Sequence, residues 1–154
     1  MITAQDDPRL KCYSRTLQAR VDEWLATAES RNTPGAALYG HLPALFRFLA
    51  GVALDHRVIE RERTATLSAL KYVIAPYDLI PEGLLGVSGF RDDLVLAALT
   101  VERLAGRVPQ EVLSKHWEQE GDPLEVSRLV LDSAPVMIGP EILEQLQAWH
   151  EATE

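Results

Sequence analysis

An all-α fold is predicted by three observations. Apolar residues recur at intervals of three and four along most of the chain, prolines stand where helices would begin, and no segment alternates apolar with polar residues as a strand does. The expected architecture is a compact bundle of four longer and three or four shorter helices around a central helical hairpin. With 154 residues and 47% hydrophobic content, the chain is expected to form a single helical domain over 1–154 with a substantial core.

Six of the nine prolines mark helix starts: Pro8, Pro34, Pro81, Pro109, Pro123 and Pro140. Proline is tolerated at the first helical position because the N–H it lacks would be unpaired there anyway. Asp7, Thr33 and Asp122 precede three of these prolines as natural N-caps, and Asp122 with Glu125 forms a capping-box-like pair.

The apolar spacing follows the same punctuation. Leu10, Tyr13, Leu17, Val21, Trp24 and Ala28 form one stripe of a first helix. Leu38, Leu42, Leu45, Phe46 and Leu49 form a stripe of a second, in which Pro43 is expected to produce a kink. A third helix is expected from about His56 to Ala75, with a charged, solvated first half over Arg57–Arg63 and an apolar second half carrying Leu67, Leu70, Val73 and Ile74; Pro76 ends it. A fourth begins near Arg91 and buries Leu94, Ala97, Ala98, Val101 and Leu104. Shorter helices follow at about 109–120, 123–133 and 140–152, with Val112, Leu113, Trp117, Leu129, Val130, Leu143, Leu146 and Trp149 as core candidates. Trp24, Trp117 and Trp149 have apolar neighbours at helical spacing, which favours core packing over ligand stacking.

Composition narrows the function. The single cysteine, Cys12, excludes an internal disulfide framework and four-cysteine zinc patterns, and reads as a small buried hydrophobe in a reducing cytoplasm. Met1 is followed by Thr3, Gln5, Asp6 and Asp7 rather than by a basic and then an apolar run, so no secretory signal is expected. Segment 36–54 is interrupted by His41, Pro43 and Arg47, and 67–90 by Lys71, Asp78 and Glu82; both are expected to be buried helices and not membrane spans. The net charge of −8 arises wholly from the C-terminal quarter, where residues 118–154 carry nine acidic groups against Arg128 alone. No concentration of Lys and Arg is present to bind phosphates, which disfavours nucleic acid as a partner. The acidic helices of 107–154 form a solvated face that also suits docking of a protein with a basic surface.

The most informative stretch is 69–104. There Ala69-Leu70-Lys71-Tyr72-Val73-Ile74-Ala75 runs into Pro76-Tyr77-Asp78-Leu79-Ile80-Pro81, followed by Gly86, Gly89 and Arg91-Asp92-Asp93. Two apolar helices joined by a turn rich in Pro and Gly are expected to form a hairpin. Asp78 lies where backbone N–H groups have left one helix and not yet joined another, so its carboxylate is placed to accept from them. Asp92 and Asp93 open the next helix, where negative charge complements the positive end of the macrodipole. A second reading brings Asp78, Asp92 and Asp93 together with free carbonyls as an oxygen-rich site for Mg²⁺ or Ca²⁺.

This stretch resembles the YkvA-like family, the bacterial domain of unknown function DUF1232. Its hallmark is an apolar helix entering a Pro-x-Asp-Leu-Ile-Pro turn, a glycine-containing linker and an Asp pair. The resemblance implies a helix-turn-helix core over 66–106, with Pro76, Asp78, Pro81, Gly86, Gly89, Asp92 and Asp93 as its motif, and admits a role peripheral to the inner membrane through Leu79, Ile80, Leu84 and Leu85. The sequence departs from it at Glu82-Gly83-Leu84-Leu85, where a second Ile-Pro is lost and a glycine gained.

No other constellation carries chemistry. His41, His56, His116 and His150 are scattered, and the i,i+4 pairs His56–Glu60 and His116–Glu120 read as ordinary surface pairs. Gly86-Val87-Ser88-Gly89 lacks the context of a nucleophile elbow, and Gly83, Gly86 and Gly89 lack the Lys-Ser/Thr of a phosphate loop. The expectation is a cytoplasmic, non-enzymatic helical interaction or regulatory module with no required cofactor. A divalent-cation protein or metal-dependent enzyme using Asp78, Asp92 and Asp93 is one alternative, and a peripheral membrane protein another.

Overall fold

Trp24, near the end of the first helix, lies almost flat on Tyr39, with ring centroids 4.9 Å apart and planes inclined by 19°. That stack anchors the N-terminal part of an all-α bundle. The structure is a computed structural model and describes residues 8–32, 35–74 and 91–152. Among these residues are helices α1 (Pro8–Leu25), α2 (Ala28–Arg31), a 3₁₀ helix (Ala36–His41), α3 (Leu42–Leu54), α4 (Glu60–Ile74), α5 (Arg91–Ala105), α6 (Gln110–His116), α7 (Pro123–Ile138) and α8 (Pro140–Ala152), and no strand.

The two helices at the centre are α3 and α5. Leu42, Leu45, Phe46, Phe48, Leu49 and Val52 are all buried, so α3 is apolar on nearly every side and needs neighbours all round. It packs against α1, α4, α5 and α6, while α5 packs most extensively against α7 and also against α8 and α4. As expected from their spacing, Leu94, Ala97, Ala98, Val101 and Leu104 of α5 are buried.

Segment Ala36–Leu54 is long and apolar enough, by length and composition, to cross a membrane, contrary to the expectation from its interruptions. It is nevertheless mostly buried inside the bundle, as the core helix of a folded domain would be.

Local punctuation explains most boundaries. Pro8, Pro123 and Pro140 occupy first helical positions, Pro109 is the N-cap of α6, and the Asp122 carboxylate accepts from Leu124 N at 2.9 Å to cap α7. Gly139, with φ 83°, ends α7 in a conformation that a side chain would strain, and Pro140 starts α8 immediately. Pro34, Pro81, Asp7 and Thr33 lie outside the described residues.

Several expectations are corrected. Pro43 produces no kink, because the chain runs as a 3₁₀ helix to His41 and places Pro43 in the first turn of α3. Ala28 is exposed in the separate helix α2, whose N-cap Thr27 accepts from Ser30 N. Helix α4 starts at Glu60, not His56, and α7 runs through Pro135 to Ile138. Leu67, Ile74 and Leu129 were core candidates by spacing and are exposed, while Trp117, Leu143 and Trp149 are only half-buried.

Candidate functional site

The charged residues that matter are inside. Glu62 is buried in the first turn of α4 and accepts from Arg103 Nε of α5 at 2.8 Å and from Arg107 Nη1 at 3.4 Å. Burial alone would raise the Glu62 carboxyl, but its bonds to Arg103 and Arg107 outweigh that and hold it below the ordinary value. The expectation that Arg57–Arg63 is a solvated stretch is therefore wrong at Glu62. A buried carboxylate is tolerated here because two guanidinium groups replace its water.

At the other end of the same helix pair, Tyr72 of α4 donates its hydroxyl to Asp92 Oδ2 of α5 at 2.9 Å. Asp92 Oδ1 accepts from Asp93 N at 3.1 Å. Asp92 and Asp93 both lie in the first turn of α5, where carboxylates favour the helix dipole, and both are fully buried. Beside Asp92, Arg91 donates to Met137 O of α7 at 2.9 Å, and Tyr72 packs against Trp149 of α8 with centroids 5.2 Å apart. The Tyr13 hydroxyl donates to Val73 O at 3.0 Å, so α1 also reaches this corner. Tyr39 is buried nearby; burial raises its phenol above the ordinary value, Arg91 opposes this and the Asp92 charge adds to it. Among the described residues its hydroxyl has no hydrogen-bond partner.

A third cluster closes the C-terminus of α3. The fully buried Asp55 carboxylate accepts from Arg57 N at 2.9 Å, from Arg57 Nε at 3.0 Å and Nη2 at 2.7 Å, and faces His116 Nε2 at 2.7 Å. An ionised carboxylate only accepts, so the proton on this bond belongs to His116 Nε2. The Arg57 bonds, joined by His116 and opposed by burial, hold Asp55 far below the usual carboxylate range. Arg63 Nη2 adds bonds to Asp55 O at 2.9 Å and Val58 O at 3.1 Å. His116 thus belongs to a buried bond between α6 and α3, not to a surface pair with Glu120, which lies beyond the end of α6. His56 likewise precedes α4 and shares no helix with Glu60.

Of the residues singled out by the sequence, Asp92 and Asp93 are brought together in one buried turn, whereas Pro76, Asp78, Pro81, Gly86 and Gly89 lie outside the described residues. Among the described residues no three His, Cys, Asp or Glu side chains gather as a metal site. Sequence reasoning missed Tyr72, Glu62, Arg103, Asp55 and His116. One signal was available: Glu62, Thr66, Ala69 and Val73 share a helical face, which places the glutamate on the buried stripe.

Residues 62–99 match the family model described as "Protein of unknown function (DUF1232)". Over this segment the chain is similar to the DUF1232 family. The segment covers about a quarter of the chain, begins at the buried Glu62, spans the rest of α4 and takes in Tyr72, Asp92 and Asp93, while Arg103 lies just beyond it. The DUF1232 description assigns no activity. No curated protein and no solved structure matches the chain.

Proposed function

We propose that the chain is a non-enzymatic helical module that binds another protein, with the DUF1232 hairpin as its structural keystone and the acidic C-terminal helices as its contact surface. The observation that carries this reading is on α7. Leu129 and Val136, seven residues apart on its outward face, are 55% and 72% exposed. Single exposed apolar residues are ordinary, but two aligned on one stripe leave a contact face uncovered. The buried charges Asp55, Glu62 and Asp92 support the same reading, because each ties one helix or turn to another.

The test is site-specific photo-crosslinking of the full chain in an extract of its host cells, with a photoreactive side chain at position 128 on α7 or, as control, at the exposed position 23 on α1. Protein adducts are expected at 128 and not at 23, and the double substitution Leu129→Ser, Val136→Ser should abolish them. Adducts that are equal at both positions, or unchanged by the double substitution, would refute the reading.

A further inference from the structure

The outward face of α7 is more ordered than a scatter of exposed residues. Glu125, Leu129, Asp132 and Val136 follow one another at steps of four, three and four, so all four fall on a single stripe, and all are exposed. The opposite face of the helix, with Ser127, Val130, Ala134 and Met137, is buried, in a helix that packs chiefly against α5. Helix α7 is therefore packed against the bundle from behind while its stripe alternates acid, apolar, acid, apolar. That spacing is the one by which a second helix seats its side chains on a first.

From this stripe we infer that Glu125, Leu129, Asp132 and Val136 form the seat for a basic amphipathic helix of a partner protein. The inference rests on the interaction reading above and names the partner's chemistry. Aliphatic residues of the incoming helix, three and four apart, cover Leu129 and Val136. Lys or Arg beside them meets Glu125 and Asp132 on the side of the stripe away from Arg128, which is exposed next to these carboxylates and is the one basic residue of 118–154 against nine acidic ones. A second copy presenting its own α7 would set two acidic faces against each other, which like-charge repulsion opposes.

The test uses the full chain and two labelled synthetic helices of about 20 residues, long enough to hold helical structure, each with Leu at the seam and with Lys or Glu at the flanking positions. Fluorescence anisotropy is expected to give at least about tenfold tighter binding of the Lys helix, weakening as salt rises. Leu129→Ser with Val136→Ser should cost at least about tenfold in affinity, and Glu125→Gln with Asp132→Asn should flatten the salt dependence. Circular dichroism of both double variants should match the parent, since all four positions are exposed. The proposal is overturned if the two peptides bind alike or not at all, or if the variants bind the Lys helix as the parent does. A parent dimer in sedimentation that Leu129→Ser, Val136→Ser makes monomeric would give the seat to a second copy and also overturn it. Crosslinks at position 128 alongside indifference to peptide charge would sink this inference and leave the interaction reading standing; loss of the crosslinks removes both.

Discussion

The Tyr72 hydroxyl donates to Asp92 Oδ2 at 2.9 Å, and ten residues earlier on the same helix Glu62 receives Arg103 Nε at 2.8 Å. As the α4 partner moves back from 72 to 62, the α5 partner moves forward from 92 to 103, so the two helices run antiparallel and are pinned at both ends. Hydrophobic packing between the buried faces of α4 and α5 would tolerate sliding by a turn, whereas two polar ties separated by ten or eleven residues do not. The ties therefore specify register. Tyr72→Phe should cost about 1.5 to 3 kcal/mol, the range for a hydrogen bond to a charged acceptor. A double-mutant cycle with Asp92→Ala, which removes the acceptor, in urea denaturation should return most of that as coupling; additive losses would show the bond to be inert.

At the Glu62 end the asymmetry between breaking and replacing a buried pair should be visible. Glu62→Ala strands Arg103 in the interior and should lower stability by about 3 to 5 kcal/mol. Replacing Glu62 and Arg103 together by Met should recover most of the loss, because no uncompensated charge remains. Equal stability of Glu62→Ala and the parent in urea denaturation would contradict the buried pair.

Gly51 is the point at which α3 lets His116 approach. A Cβ there would sit 2.6 Å from His116 Nδ1, closer than real Cβ contacts come, and the ring is held by Asp55 on its far side. Gly51→Ala should therefore destabilise the protein, although in an open helix interior the same change gains up to about 1 kcal/mol. In a His116→Ala background the loss should shrink, because the ring atoms are gone and only the Cβ of residue 116, 3.2 Å away, still crowds the site. Thermal melts of the four proteins give the answer, and a Gly51→Ala gain in both backgrounds would refute the close approach.

Acid should loosen the bundle through Asp55 and Glu62. Both carboxyls titrate lower in the folded chain than in the unfolded one, so the unfolded chain binds protons more readily as pH falls. Their stabilisation is complete above the ordinary carboxylate values near 4 and is lost as pH drops through that range and below. Denaturant midpoints measured from about pH 6 down to pH 3 should fall, and the slope should be shallower in a Glu62→Gln variant.

The α7 seat depends on its cap. Asp122 accepts from Leu124 N at 2.9 Å, and Asp122→Ala should cost about 0.5 to 2 kcal/mol. Asp122→Asn should keep most of the loss from appearing, because an amide oxygen caps nearly as well. Denaturation of the two variants side by side separates capping from charge.

The sequence by itself determined the helices and many of their starts. Pro8, Pro123 and Pro140 begin helices where their missing N–H is harmless, Asp122 caps α7, and the three- and four-residue spacing of Leu94 to Leu104 marks the buried face of α5. These are local effects, decided within one or two turns of backbone. What only the tertiary structure decided is which charges went inside. Glu62 pairs with a residue 41 positions away and Asp55 with one 61 positions away, and no periodicity along the chain announces such partners. A charged side chain is buried only when another helix supplies its counter-charge at hydrogen-bond distance, so the same residue types read as solvated until the packing is known. The reverse holds for Leu129 and Val136: Leu129 has core-like chemistry and spacing, and both residues remain outside because the neighbours that would cover them are absent from that side of α7 among the described residues.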